Sequence, residues 1–366
     1  MEKYYMKKAI DLAKLGWGRT RPNPLVGAVV VKDGNIISEG YHHFYGGDHA
    51  EVDALKKINF SAEGATMYVN LEPCCHVGKT PSCVEAIIKS KIKKVVVALQ
   101  DPNPKVAGNG IKTLKNKGIE VITGVLEEEG RKLNEVFIKY ITTKEPFCIL
   151  KTAMTLDGKI ASTIGDSKWI TDEDARAYVH HIRNDVAGIM VGISTVLKDD
   201  PWLNTRIPNK EVRHPARIIV DSNLNIPITA KVIKTVEEQP TLIATTAKAS
   251  KEKLYELESL GVGVLVLREN EGRVCLKDLM QELGKRNIDS LLLEGGGTLN
   301  YSALETGVVD KVLYFIAPKI IGGKDAITSV EGEGKTLIKN AFLLKNMSIQ
   351  RFEKDILIEG YIRKEV

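Results

Sequence analysis

One imidazole, His49, and two thiols, Cys74 and Cys83, supply three soft ligands of the kind Zn²⁺ takes, and three protein ligands leave one tetrahedral position open for water. An open position is the mark of a catalytic site. A structural site needs a fourth ligand, usually supplied as two short cysteine pairs, and the chain has none. Glu51 stands two residues beyond His49. Bound zinc lowers the pKa of its water toward ~7, and a carboxylate beside that water can take its proton and pass it to a departing amine. That is the chemistry of hydrolytic deamination. The signature of zinc nucleobase deaminases is H-x-E followed by P-C-x-x-C; here eight residues, rather than two, separate Cys74 from Cys83. The longer gap inserts a loop carrying His76 and Lys79 beside the metal. With Gly78 before Lys79 and Pro81 after it, that loop is expected to reach past a base toward a ribose phosphate.

Residues two apart do not share a helix face, so His49 and Glu51 can converge on one metal only from a helix's first turn. The chain allows this: Gly46-Gly47-Asp48 is a loop, and Ala50 to Ile58 reads as a helix. Pro81-Ser82 marks a second helix start ahead of Cys83, which sets that thiol at the positive end of a helix dipole. Around these, the pattern predicts a helix over Tyr4 to Leu15 and strands at Leu25 to Val31 and Ile36 to Gly40, joined at Asp33-Gly34-Asn35. A further strand runs from Ala65 to Leu71. After Cys83 come a helix (Val84 to Ser90), a strand (Lys94 to Leu99), a helix (Gly110 to Lys117), a strand (Glu120 to Thr123) and a helix (Leu126 to Tyr140). Alternating β and α units predict a sheet with helices on both faces.

Near Thr142 to Pro146 the pattern restarts, giving two expected domains, 1–145 and 146–366, each α/β. Phe147 to Ala153 is a buried-strand candidate. Leu156 to Lys159 reads as a turn, and Asp172 to Asn184 as a helix with Thr171 as its N-cap. Strands follow at Ala187 to Val191, Ala216 to Asp221, Thr241 to Thr245, Val262 to Leu267 and Ser290 to Leu293. The alternating runs Lys311 to Ile316 and Ile356 to Ile362 suit antiparallel strands with one wetter face. Leu291 to Leu293 runs into Glu294-Gly295-Gly296-Gly297-Thr298 and then a helix, a turn whose free N–H groups suit a dinucleotide pyrophosphate.

At 43% hydrophobic and 27% charged, the chain has the composition of a soluble globular protein. It shows no apolar run of the ~18 residues that a membrane span needs and no signal-peptide core, so a cytoplasmic location is expected. Five cysteines argue for metal and core use over disulfides. A net charge of +5 is mild and suits small anionic ligands; it does not call for nucleic acid or a membrane surface.

The runs Pro22 to Ala28, His49-Ala50-Glu51, Glu72-Pro73-Cys74 through Cys83, and Asp101 to Pro104 resemble the deaminase half of the bifunctional riboflavin-biosynthesis deaminase/reductases. Leu156 to Ala161, Trp169-Ile170-Thr171, Val191-Gly192 with Thr195-Val196, Asp199-Asp200-Pro201 and Glu294-Gly295-Gly296 resemble the reductase half. Cys75 and Ser82 depart from that pattern without touching a proposed ligand. The resemblance implies a cytidine-deaminase-like α/β/α domain followed by a dihydrofolate-reductase-like α/β domain. It also implies Zn²⁺ and NADPH as cofactors, a pyrimidine ribotide as substrate, and a homo-oligomer. Asn23, His42, His76, Lys79 and Asn103 are the candidate substrate contacts of the deaminase; those of the reductase follow by motif match. Ala153, Trp169, Thr195, Asp199, Ser222, Gly296 and Gly297 fall at NADPH positions, and Ser167, Arg183, Leu203, Arg206 and Glu294 at substrate positions of the reductase, with Lys151 near the hydride path. Arg183 and Arg206 are expected to fork onto a phosphate, and Glu294 to accept ring N–H groups. The rival reading, a zinc deaminase acting on tRNA or free nucleotides with an accessory nucleotide-binding domain, leaves over two hundred residues of the chain without a role in the chemistry.

Overall fold

The computed structural model describes residues 1–75, 82–103 and 107–363. The chain divides into two compact units, Met1–Lys144 and Glu145–Val366.

Among the described residues, the first unit has a five-stranded sheet in the spatial order Asn35–Tyr41, Gly27–Lys32, Thr66–Leu71, Lys94–Leu99, Glu120–Thr123. Gly27–Lys32 pairs antiparallel with both neighbours and the later strands run parallel. Alternation along each strand sorts side chains to two cores. Val30, Met67, Val69, Val95 and Val97 face one core with Leu55, Ile87 and Leu114 from the helices Ala50–Lys57, Cys83–Lys89 and Asn109–Asn116. Val29, Val31, Tyr68, Val96 and Ala98 face the other, against Tyr5, Met6, Ala9 and Ile10 of the helix Glu2–Ala13. Strands buried on both faces read as continuous apolar runs, which is why Val29-Val30-Val31 and Val95-Val96-Val97 carry no polar partner residue.

One expected element is broken. The helix foreseen over Leu126 to Tyr140 is two helices, Glu127–Leu133 and Glu135–Thr143, separated at Asn134 (φ −108°, ψ 22°). Asn134 leaves helical geometry with its side chain gripping Leu25: Oδ1 accepts from the Leu25 amide at 2.8 Å and Nδ2 donates to its carbonyl at 3.0 Å.

The second unit has, among the described residues, a nine-stranded sheet in the order Gly263–Val266, Thr241–Thr245, Ala216–Val220, Gly188–Gly192, Ser290–Leu293, Phe147–Thr155, Lys311–Ala317, Ile356–Ile362, Leu344–Arg351. The first seven run parallel and the last two join antiparallel. The runs expected as antiparallel strands, Lys311 to Ile316 and Ile356 to Ile362, do pair antiparallel, and Lys311–Ala317 also runs parallel to Phe147–Thr155 on its other side. The strand Leu344–Arg351 went unforeseen, because its exposed edge position imposes no apolar alternation. Helices Leu276–Lys285 and Gly297–Glu305 cover one face through Leu279, Leu283 and Ala303, and Val232, Ile233 and Leu257 pack on the other. The helix Glu173–Asp185 sets Ala175 and Val179 against Phe315 and Leu357, with its N-cap at Asp172, whose side chain accepts from the Ala175 amide, and not at Thr171.

Because the strands run parallel, Gly188–Gly192, Ala216–Val220 and Ser290–Leu293 all end at one edge of their sheet. That edge is where ligands bind in open α/β folds.

Candidate functional site

In the first unit, His49 is the N-cap of the helix Ala50–Lys57, with extended backbone (φ −72°, ψ 157°), and Glu51 lies in that helix's first turn. Cys74 leaves the carboxyl end of Thr66–Leu71, and Cys83 opens the helix Cys83–Lys89. Cys74 is tied to that helix start, since its carbonyl accepts from the Val84 amide at 3.2 Å and from Ser82 Oγ at 3.0 Å. His49 Nδ1 lies 3.2 Å from Cys83 Sγ and 3.4 Å from Cys74 Sγ, and the three ligand atoms fall within 4.8 Å of one another. Tetrahedral zinc with bonds of ~2.0 Å to nitrogen and ~2.3 Å to sulfur requires ligand separations of ~3.5–4 Å, so the donor set fits in kind and size. Cys83 and His49 hold the Cys74 thiol well below its ordinary value, while Cys74 and burial push the Cys83 thiol up. Glu51 is buried, and burial pushes its carboxyl up to about 6 against the pull of His49. Cys75 is half-buried and stands outside the cluster.

His42 is buried beside this cluster, its ring edge-on to that of His49 at 5.5 Å between centroids. Its Nδ1 donates to the Asp48 carbonyl at 2.9 Å, which leaves Nε2 to accept from Asn23 Nδ2 at 3.2 Å. Burial lowers the pKa of His42. Asn103 donates its amide to Asp101 Oδ1 at 2.8 Å. His76 and Lys79 lie outside the described residues.

Two supports of this site went unread in the sequence. Buried Glu72 accepts from the amides of Asp101, Gly108 and Ile111 at 3.0–3.1 Å, tying the Asn103 loop to the segment bearing Cys74. Buried Asn70 accepts from the Gly27 amide at 2.8 Å and donates to the Leu25 carbonyl at 2.9 Å, and with Asn134 it fixes the chain that follows Asn23. A Glu-Pro-Cys run at a strand's end was the one local signal for Glu72.

In the second unit, the strand ends line a cleft with two adjoining lobes. One, a cavity of about 600 Å³, is lined by Ser167, Thr195, Asp199, Ser222, Gly296 and Gly297 among others. The other, of about 310 Å³, is lined by Lys151, Ala153, Trp169, Arg183, Arg206 and Glu294, and shares Ile160, Ser167, Thr195, Asp199 and Gly296 with the first. Gly295 holds φ +105°, open only to glycine, and a Cβ on Gly297 would come within 2.7 Å of the Thr328 carbonyl. The helix Gly297–Glu305 therefore opens with bare backbone toward the larger lobe, its first turn flanked by the Glu331 carboxylate, 3.4 Å from Thr298 Oγ1. An open helix start beside glycines fits a dinucleotide pyrophosphate. Trp169 is stacked by Arg176, whose guanidinium lies 4.7 Å from the ring centre.

The phosphate fork expected of Arg183 is not offered. Its Nε and Nη2 grip Glu294 at 2.7 and 2.8 Å, and Nη1 donates to the Asn204 carbonyl at 3.0 Å. Both Glu294 oxygens are thereby engaged, with Lys151 Nζ 3.7 Å from Oε2. Burial acts to raise Glu294, but Arg183 and Lys151 hold its carboxyl at about 2. Burial also lowers Lys151 below its ordinary value, against the pull of Glu294. Leu203 departs from its expected place as well. With φ +52° its side chain turns into the core among Ile189, Val191 and Ile219, its carbonyl accepts from Gln239, and it lines neither lobe. Arg206 remains exposed, its Nη1 on Asn204 Oδ1 at 2.8 Å.

His180 and Asn300 line the smaller lobe and were missed. His180 stands one turn before Arg183 on the same helix face, a spacing legible in the sequence. Burial, then the charges of Arg183 and Arg206, lower it to about 4, so it is a neutral imidazole whose Nδ1 accepts from the Arg206 amide at 3.2 Å. Asn300 is buried and donates to the Ser329 carbonyl at 2.8 Å.

Comparison with known proteins matches both units. A family described as the cytidine and deoxycytidylate deaminase zinc-binding region matches residues 1–99, and one described as the RibD C-terminal domain matches residues 146–358. The riboflavin biosynthesis protein RibD of Actinobacillus pleuropneumoniae is 50% identical over 355 residues, covering 97% of this chain and 94% of that protein. The namesake from Aquifex aeolicus is 45% identical over 358 residues, covering 98% of each. Among solved structures, Acinetobacter baumannii RibD superposes with a TM-score of 0.88 at 38% identity, over 99% of each chain. A Thermotoga maritima diaminohydroxyphosphoribosylaminopyrimidine deaminase/5-amino-6-(5-phosphoribosylamino)uracil reductase does so at 0.85 and 41%, again over 99% of each. These relatives run the length of both units, so the reading as a tRNA deaminase with an accessory domain is not favoured. The chain belongs to the RibD family of bifunctional deaminase/reductases of riboflavin biosynthesis, with a zinc-type deaminase domain and a dihydrofolate-reductase-like domain.

Proposed function

We propose that the first unit deaminates 2,5-diamino-6-ribosylamino-4(3H)-pyrimidinone 5-phosphate and that the second reduces the ribosyl chain of the product to ribityl with NADPH. The observation that carries this reading is the convergence of His49 Nδ1, Cys74 Sγ and Cys83 Sγ on one point beside buried Glu51. The three side chains would hold Zn²⁺, which supplies the acidity that makes water a nucleophile near neutral pH. Glu51, from its place in the first helical turn, takes the water's proton on a carboxylate oxygen and delivers it to the departing ammonia. Asn23 and His42, already paired, line the approach to the base, with Asn103, His76 and Lys79 as the further substrate contacts.

In the second unit, Thr195, Asp199, Ser222, Gly296 and Gly297 line the larger lobe and would hold NADPH, with Ala153 and Trp169 from the adjoining lobe. NADPH supplies the hydride. The smaller lobe, beside Lys151, Arg183, Glu294 and Ser167, takes the pyrimidine ribotide. Since Arg183 is closed on Glu294, exposed Arg206 is left as the phosphate contact. A homo-oligomer working in the cytoplasm completes the reading; among the described residues no helix is long and apolar enough to cross a membrane. Glu51→Gln and Glu294→Gln test the two halves separately: Glu51→Gln should release no ammonia from the diamino ribotide yet reduce the aminouracil ribotide with NADPH, and Glu294→Gln should deaminate the diamino ribotide yet leave the aminouracil ribotide unreduced.

A further inference from the structure

We propose that Arg273 makes the reductase unit selective for the 2′-phosphorylated dinucleotide, by binding the phosphate on the adenosine ribose. The inference rests on the assignment of the larger lobe to a dinucleotide, and deepens it. In open α/β sheets a dinucleotide lies across the carboxyl ends of the strands, and a carboxylate there marks selection of free ribose hydroxyls, whereas a nearby arginine accommodates a 2′-phosphate. From the glycine turn after Ser290–Leu293, the lobe passes the end of Gly188–Gly192 and reaches the end of Ala216–Val220. Its walls at that end are Asp221, Ser222, Asn223 and Asn225 on one side and Gly272, Arg273 and Val274 on the other.

The carboxylate at this end lies below the surface. Asp221 is buried; its Oδ2 accepts from the Ile226 amide at 2.8 Å, closing the turn beneath the lobe, and its Oδ1, without a partner among the described residues, is out of reach of solvent. Arg273, by contrast, is carried to the lobe by a built hairpin. Strands Glu269–Asn270 and Arg273–Val274 pair across Glu271 and Gly272, whose φ values of +50° and +78° close a two-residue turn. The hairpin is pinned from both ends. The Val274 amide donates to Ser222 Oγ at 3.1 Å, and the Arg268 guanidinium grips both oxygens of Asp278 at 2.6 Å. Arg273 is thus held one residue from the contact that joins its strand to Ser222. It is exposed, it donates to Ser302 Oγ at 3.2 Å, and among the described residues no carboxylate pairs with it. A guanidinium with donors to spare, fixed across from the ribose end of the lobe, matches a phosphate dianion in charge and geometry. The other cation lining the lobe is Lys198, on the helix Ile193–Asp199, beside Asp199.

Calorimetric titration of the full-length chain with NADPH, NADH, adenosine 2′,5′-bisphosphate and AMP tests this, using the parent, Arg273→Ala, Arg273→Lys and Lys198→Ala. The parent should prefer NADPH over NADH. Arg273→Ala should weaken NADPH and the bisphosphate roughly ten- to hundredfold, the loss expected for a charged hydrogen bond, while NADH and AMP bind as before. Unchanged NADH binding also reports an intact fold, and Arg273→Lys should recover part of the preference. An Arg273→Ala protein that keeps the parental NADPH-to-NADH ratio overturns the assignment, as does loss of the ratio in Lys198→Ala alone. A parent that binds both dinucleotides equally overturns the inference and leaves the reductase reading standing; a parent that binds neither sinks both.

Discussion

Replacing Glu294 with glutamine removes one charge from a buried cluster at almost constant volume. Glu294 is 9% exposed, with Arg183 and Lys151 at 14% and 15%, so solvent screens their attraction little. A carboxyl moved from an ordinary 4.5 to about 2 stabilises the folded unit by at most roughly 3 kcal/mol at neutral pH. A group held low contributes its full stability above its unfolded pKa and loses it as pH falls through the folded one. The parent should therefore weaken between about pH 4.5 and pH 2 in a segment that Glu294→Gln lacks. Urea unfolding followed through Trp169 and Trp202, both in the second unit, reads the loss. Paired with Arg183→Gln in a double-mutant cycle, the two changes should couple by ~1–3 kcal/mol. A shift below ~0.5 kcal/mol at pH 7 for Glu294→Gln would refute the reasoning that Arg183 and Lys151 hold the Glu294 charge in place.

Glu51→Gln should keep stoichiometric zinc while deamination falls ~10²–10⁴-fold, measured as metal content and ammonia release on one preparation; loss of zinc would mean Glu51 is a ligand. Asn134→Ala removes both bonds to Leu25 and should lower the stability of the first unit by ~1–3 kcal/mol, read by urea unfolding through Trp17. A fragment ending at Lys144 should deaminate without consuming NADPH, and the fragment starting at Glu145 should bind NADPH without zinc; NADPH oxidation by the first would end the two-unit assignment.

The chemistry of the first site was legible because His49, Glu51, Cys74 and Cys83 sit at strand ends and helix starts, where local patterns announce themselves. The strand-to-glycine turn after Leu293 was legible for the same reason. The Arg183–Glu294 pair was not, because its members lie 111 residues apart and only the parallel register of their unit brings them together. Asn134 was read through as helix, since the apolar period continues on both sides of it and only the contact with Leu25 shows the break. Leu203 looked available to a ligand until its left-handed backbone turned the side chain inward. Glu72 and Asn70 act through backbone amides of distant loops, a role that residue type alone does not disclose.

The most direct test of the central claim is to incubate the zinc-loaded chain with the diamino pyrimidine ribotide, with and without NADPH, and to follow every product by mass alongside released ammonia. The account predicts one ammonia per substrate without NADPH and accumulation of the aminouracil ribotide, which gains two hydrogens once NADPH is supplied, a hydride on the anomeric carbon and a proton on the ring oxygen it releases. Zinc-loaded protein that consumes NADPH on the diamino substrate while releasing no ammonia would contradict it.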